Sequence, residues 1–143
     1  MRATLLLCLI ALFCIYNSST ASGERQACLS YEPTVVTLAG RITKHIFPGP
    51  PNYESVRRGD APETTWVLHL ARPVCIERGQ DEIDEREEGV MDLQLALEPA
   101  EYTRYRNLLN QVVVVRGKLF HSHTGHHHTK VLLDVNDIKR NKR

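Results

Sequence analysis

The sequence lacks an excess of charge of either sign: 18 lysines and arginines face 17 aspartates and glutamates, for a net charge of +1 with histidine neutral. Such a balance gives no electrostatic basis for binding nucleic acid or an anionic membrane. We therefore expect no nucleic-acid partner. The locally basic run at residues 139–143 is predicted to be a frayed, solvated tail.

Long apolar runs are also lacking, apart from one at residues 5–15. Arg2 precedes this run, and small residues follow it at positions 19–21, where a signal peptide is cleaved. The run is shorter than the roughly 20 residues that a membrane span needs. We predict a signal peptide over residues 1–21, no stable membrane insertion, and a single domain over residues 22–143 in the periplasm or outside the cell.

Cysteine is scarce, and two of the four cysteines, Cys8 and Cys14, fall within the predicted signal peptide. The mature protein would keep only Cys28 and Cys75. In an oxidising compartment such a pair is expected to be joined. We predict a structural disulfide between Cys28 and Cys75.

The motifs of common hydrolases are absent as well. There is no Gly-x-Ser-x-Gly nucleophile elbow and no His-Glu-x-x-His helix, and the mature cysteines are assigned to the disulfide. We therefore nominate no catalytic residue and do not predict an enzyme. A metal-dependent hydrolase is the weakest hypothesis, because it would need a general base beside an open metal position.

What the sequence does contain is a regular alternation of apolar and polar residues, the period of a half-buried β-strand. It predicts five strands at residues 36–42, 66–70, 91–97, 112–120 and 131–135, and a short amphipathic helix that starts at Pro99. Gly40 and Gly117 fall where strongly curved strands often need glycine. This order predicts a mainly β protein, a five-stranded OB-fold-like barrel with one short helix between strands 3 and 4. Another small closed or half-closed barrel is the alternative.

The connection at residues 47–63 is rich in proline and glycine but too varied for a flexible linker, so we expect an ordered loop. In an OB barrel the loop between strands 1 and 2 borders the binding face. Its aromatic ring, two guanidinium groups and carboxylate predict four ligand-binding residues: Tyr53, Arg57, Arg58 and Asp60. In the alternative, an arginine of this loop pairs with Asp60, Glu54 or Glu63 and only holds the loop together.

Five of the seven histidines lie within residues 121–128, between the last two predicted strands. Imidazoles at a turn can ligate zinc or copper, or can form the solvated tip of a hairpin. A three-residue loop at 124–126 would pair Leu119 with Val131 and place three imidazoles on one face. They are the predicted ligands of a zinc or copper site: His121, His123 and His127. No acidic residue within the stretch would orient them.

Three stretches of the chain resemble the signature segments of the family called domain of unknown function 4431. They are Cys-Leu-Ser-Tyr-Glu-Pro at residues 28–33, the Pro-Gly-rich segment at residues 47–60, and the histidine segment at residues 119–129. The resemblance spans nearly all of the predicted mature chain and implies a small exported bacterial protein. It implies no activity, substrate or catalytic residue.

Two further hypotheses remain from the residues. The first, which we favour, is a monomeric, non-catalytic binding module that recognises another exported protein, a peptide or a cell-envelope component. It would use the loop at residues 47–63 and the histidine hairpin at residues 121–128. The second is a periplasmic sensor or buffer of zinc or copper, and titration with these metals would separate the two.

Overall fold

The computed structural model describes residues 27–142, so the predicted signal peptide at residues 1–21 lies outside the described residues. One sheet closes into a barrel with the strand order β1-β2-β3-β5-β4. Its strands are β1 (Val35–Pro48), β2 (Pro62–Ile76), β3 (Glu87–Ala96), β4 (Val112–His121) and β5 (Val131–Arg140). Among the five strands within residues 27–142, β3 and β5 are the one parallel pair. This architecture confirms the predicted mainly β fold and its five strands.

The helix predicted between strands 3 and 4 is α1 (Pro99–Arg104), followed by a single 3₁₀ turn at Arg106–Leu108. It begins at Pro99 because Glu98 and Glu101 form a reciprocal capping box around that position. Tyr105, which follows the helix, is buried in the barrel core. Within the described residues, no helix is long and apolar enough to cross a membrane.

The barrel core is built from the inward positions of every strand. Among the largest fully buried side chains are Ile42, Leu68, Leu93, Leu95, Val113, Val115, Leu119, Val131 and Leu133. The strands nevertheless run further than the alternation predicted. β1 continues to Pro48 because its first half pairs with β4 and its second half pairs with β2. That second half includes three consecutive exposed residues at 44–46, so it lacks the alternation of buried and exposed positions.

Two glycines let neighbouring strands approach closely. A β-carbon at Gly40 would overlap the carbonyl oxygen of His69, and one at Gly117 would overlap the carbonyl oxygen of Asp134. Each position therefore excludes any side chain where the barrel wall bends. The expectation that these glycines serve strand curvature agrees with the structure.

Cys28 and Cys75 form the predicted disulfide. Hydrogen bonds lie on both sides of it: the Leu29 amide donates to the Cys75 carbonyl at 2.8 Å, and the Glu77 amide donates to the Leu29 carbonyl at 2.8 Å. The segment before β1 is thereby attached to the end of β2.

At the other end of the chain the predicted tail is partly wrong. Lys139 and Arg140 belong to β5 and pair with Val114 and Val113 of β4. Ladder hydrogen bonds to a buried strand hold these two cations in the sheet, so the basic run does not begin as a frayed end.

Candidate functional site

The segment between β4 and β5 is a broad loop rather than a tight hairpin turn. His121 pairs with Val131 and Leu119 pairs with Leu133, so the predicted pairing of Leu119 with Val131 is wrong by two residues. The same side chains still face the core, because a shift of two residues preserves the inward face of a strand. We call residues 122–130 the histidine loop.

Gln94 of β3 holds the histidine loop against the outside of the barrel. Its side-chain amide donates to the His126 carbonyl at 3.0 Å and accepts from the His128 amide at 2.7 Å. Its backbone amide donates to the Thr129 hydroxyl at 2.9 Å. The loop is therefore hydrogen-bonded to β3 through both the side chain and the backbone amide of Gln94.

The docked loop lies over a small apolar patch on the barrel's outer wall. Val67 and Leu132 are next to inward-facing core residues, so they point away from the barrel interior. Both are nevertheless buried, with exposures of 3% and 1%. Val67 pairs with Gln94, and Gln94 pairs with Leu132, which places this patch where the histidine loop docks.

Glu63, near the start of β2, joins two imidazoles of the loop. One carboxylate oxygen lies 2.6 Å from His126 Nδ1, and the other lies 3.1 Å from His128 Nε2. Phe47 is the β1 partner of Glu63, and its ring stacks on His128 with centroids 4.4 Å apart. The adjoining ends of β1 and β2 thus hold the loop by hydrogen bonds to Glu63 and by the stacking of Phe47.

Tyr53 brings the loop at residues 47–63 into contact with the histidine loop. Its hydroxyl lies 3.2 Å from His126 Nε2, and the two rings meet edge to face at 5.4 Å. A β-carbon at Gly125 would lie 2.9 Å from the Tyr53 ring, so glycine there allows the ring to pack on the backbone. Two segments singled out from the sequence therefore form one surface.

Asp60 has a different role from the predicted one. Its carboxylate is buried, with 4% exposure, and it accepts hydrogen bonds from the backbone amides of Asn52, Glu54 and Ser55 at 2.7–2.9 Å. These bonds, the one from Ser55 foremost, lower the pKa of Asp60 to about 2 although burial opposes them. Asp60 therefore braces the loop internally, and its carboxylate oxygens are already engaged in these hydrogen bonds.

The two arginines of this loop are exposed. Arg58 pairs with Glu54 at 2.9 Å, and both side chains are more than half exposed. Arg57 makes no hydrogen bond or ion pair with any residue in the described part of the chain. Of the four predicted ligand-binding residues, Arg57 is exposed, and Tyr53 is half-buried against the histidine loop. The loop-holding alternative applies to Arg58 and Asp60.

A second carboxylate, Glu87, holds the base of the histidine loop. It accepts from Lys130 Nζ at 3.1 Å and lies 3.2 Å from His121 Nε2, so it joins both ends of the loop. Burial alone would raise the pKa of Glu87, but the hydrogen bonds from Lys130 and His121 outweigh burial and lower it. The loop is therefore bound to a carboxylate at its base and to Glu63 at its tip.

His123 and His127 pack edge to face, with centroids 4.6 Å apart. The His123 backbone amide donates to His127 Nδ1 at 3.0 Å, which requires that nitrogen to be unprotonated. Burial, followed by repulsion from His123 and the other loop imidazoles, lowers the pKa of His127. Geometry and electrostatics both favour a neutral His127.

The three predicted metal ligands are only partly brought together. His123 and His127 are in contact, while His121 turns to Glu87 and the Ser122 carbonyl. Among residues 27–142, no group of three or more histidines, cysteines, aspartates or glutamates is arranged to hold a metal ion. Zinc or copper binding stays a prediction from the sequence.

Sequence reasoning missed the residues that hold the histidine loop in place: Phe47, Glu63, Glu87 and Gln94. The absence of an acidic residue within the loop had suggested that nothing would orient its imidazoles, yet the carboxylates come from β2 and β3. A signal was present, because extending the second strand back to Pro62 pairs Glu63 with Phe47. Gln94 also alternates with buried leucines, as an outward polar residue does.

His127→Gln is expected to improve stability relative to wild type as the pH falls. Because the folded protein lowers the pKa of His127, the unfolded chain binds this proton more readily. The stabilisation from the neutral ring is complete above the ordinary pKa of 6.5 and is lost as the pH falls through the lower folded-state value. Urea unfolding of both proteins at about pH 7.5 and about pH 5.5 measures the difference.

The matched control for this prediction is His45→Gln, since His45 is exposed and lies outside the histidine loop. A difference between His127→Gln and wild type that is the same at both pH values would contradict a neutral His127.

One family model matches part of the chain: the family described as domain of unknown function (DUF4431) matches residues 92–139. The matched segment contains Gln94, the histidine loop and most of β5, and it includes the third of the three signature stretches. A search of curated proteins finds no match to the chain.

Proposed function

We propose that this chain, which belongs to the DUF4431 family, is an exported, non-catalytic binding module. Its ligand would be another exported protein, a peptide or a cell-envelope component. The observation that carries the proposal is the contact of Tyr53 with His126 at 3.2 Å, which joins two loops 73 residues apart in sequence. We call Tyr53, Arg57 and His126 the paired-loop surface.

The position of the paired-loop surface supports recognition. OB barrels bind ligands on the face of strands 2 and 3 and through the loops between strands 1 and 2 and strands 4 and 5. In this chain the histidine loop lies over part of that face, and the paired-loop surface is the edge where both loops meet solvent. The side chain of His126 is 61% exposed, and Arg57, which belongs to the same loop as Tyr53, is exposed.

The chemistry of the paired-loop surface also supports recognition. Tyrosine and arginine are enriched among the residues that dominate binding energy in protein interfaces. Both loops are held in place: Asp60 braces the first from within, and Glu63 of β2 holds the histidine loop. Binding would therefore require little ordering of the backbone, which favours affinity.

The test is capture of a partner from the native envelope by tagged, folded protein. The double variant Tyr53→Ala with Arg57→Ala is expected to lose at least about tenfold in capture while its melting temperature stays close to that of wild type. Arg106→Ala is the matched control, because it removes an exposed arginine next to α1. Identified partners are then bound as purified proteins.

Two results would contradict this proposal. One is undiminished capture by the double variant. The other is a large fall in its melting temperature with binding retained, which would give these residues a role in holding the loops only. Capture that disappears with a chelator and returns with zinc or copper would favour the metal-handling hypothesis instead.

A further inference from the structure

A groove with a volume of about 650 Å³ lies on the outer wall of the barrel. Its charged and hydrogen-bonding side chains come from β1, β2 and β3, and the segment before β4 completes it: Arg41, Lys44, His45, His69, Asp92 and Asn110. We propose that this groove binds an oxyanion, a carboxylate or a phosphate carried by a small ligand or a chain end. The proposal does not depend on the paired-loop surface, which shares none of these residues.

Arg41 and Lys44 supply positive charge that the protein does not neutralise. Neither has a carboxylate oxygen within 4.0 Å in the described part of the chain. Arg41 Nη1 donates to the Asn110 carbonyl at 2.5 Å. This bond fixes the guanidinium without cancelling its charge and leaves its other N–H groups free. A planar guanidinium matches the geometry of carboxylate and phosphate groups.

The carboxylate that lines the groove, that of Asp92, is already hydrogen-bonded to His69. Asp92 Oδ1 lies 2.6 Å from His69 Nδ1, with each side chain about half exposed. The bond orients the imidazole and leaves its Nε2 without a hydrogen bond within the described residues. In the doubly protonated ring, Nδ1 donates to Asp92 and Nε2 can donate to a bound oxyanion. With two cations and one paired carboxylate, the groove has a net charge of about +1 before either imidazole is protonated, so it attracts anions.

The strand register places the binding groups side by side. Arg41 pairs with His69, and His69 pairs with Asp92, so the three form one row across β1, β2 and β3. Side chains directly opposite each other on neighbouring strands have β-carbons about 5 Å apart. An oxyanion that spans this distance can therefore contact the guanidinium of Arg41 and the doubly protonated imidazole of His69 together. Lys44 also lines the groove, but it pairs with the core residue Trp66 and lies on the other face of β1, so it adds charge without belonging to the row.

The experiment titrates the full mature protein at low ionic strength with two probes, inorganic phosphate and a tetraglutamate peptide. We expect Arg41→Ala and His69→Ala each to weaken binding at least about tenfold. Arg116→Ala should change it less than about twofold, because Arg116 is an exposed strand arginine outside the groove. Melting temperatures establish that every variant is folded.

The outcomes distinguish a phosphate ligand from a carboxylate ligand. They also distinguish this proposal from the one for the paired-loop surface. Binding of phosphate alone identifies a phosphate carrier, and binding of the peptide alone identifies a carboxylate carrier. Failure of both probes to bind more tightly than roughly 10 mM overturns the proposal, as does an equal loss in Arg116→Ala. The variant Tyr53→Ala with Arg57→Ala should bind the probes as wild type does. The test of the groove is therefore independent of the test of the paired-loop surface.

Discussion

Replacing Cys28 and Cys75 together by serine is expected to lower the free energy of unfolding by about 4 kcal/mol. The bridge spans a sequence separation of 47 residues, and opening a loop of that length restores much conformational entropy to the unfolded chain. Domains of this size are stable by about 5–15 kcal/mol in total. The variant should therefore unfold at a much lower urea concentration than wild type.

Equilibrium urea unfolding of the two proteins, with and without reductant, measures this loss. Reductant should destabilise the wild type to the level of the serine variant and leave the variant unchanged. A loss below about 1 kcal/mol would show that the backbone bonds of Leu29 to β2 hold that segment without the bridge. Two alkylatable thiols in unreduced mature protein would contradict the disulfide itself.

The sequence predicts the barrel because the barrel depends on local pattern. Apolar residues such as Leu93 and Val135 alternate with polar ones, and this period determines which face of each strand is inward. Gly40 and Gly117 were identifiable for a related reason, since a glycine inside a strand marks close backbone approach. The disulfide prediction required only the expected oxidising compartment and the number of cysteines outside the predicted signal peptide.

Strand ends and loop geometry were predicted less well, because they depend on partners far away in the sequence. The second half of β1 has exposed residues at 44–46 and no alternating pattern, so its pairing with β2 makes it a strand. The histidine loop was assigned a tight turn, whereas its conformation follows from contacts with Gln94 and Glu63. Asp60 has backbone partners, and composition does not distinguish a carboxylate that braces a loop from one that binds a ligand.

Together these contacts give the histidines a structural role. Glu87 joins the two ends of the histidine loop and Glu63 joins two imidazoles at its tip, so imidazoles and carboxylates hold the loop over the barrel wall. The exposed edge of this assembly is the paired-loop surface. Recognition through that surface then depends on Glu63, which contacts no ligand in our proposal but positions His126.

Glu63→Ala is therefore expected to loosen the histidine loop by about 2 kcal/mol, because it removes the acceptor for two imidazole N–H groups in a half-buried site. That energy corresponds to a roughly 30-fold increase in the open population of the loop. Amide hydrogen exchange at His128 should accelerate by that factor, since this amide donates to Gln94 only when the loop is docked. Partner capture should fall with it.

Two further variants make this prediction specific. Glu54→Ala removes an equal charge from the neighbouring loop, where an exposed pair with Arg58 contributes at most about 1 kcal/mol, so exchange at His128 should stay near the wild-type rate. Glu63→Gln keeps one acceptor oxygen and should be intermediate. If exchange at His128 were equally slow in Glu63→Ala and in wild type, Gln94 and the stacking of Phe47 would be holding the loop without the carboxylate. The paired-loop surface would then not depend on Glu63.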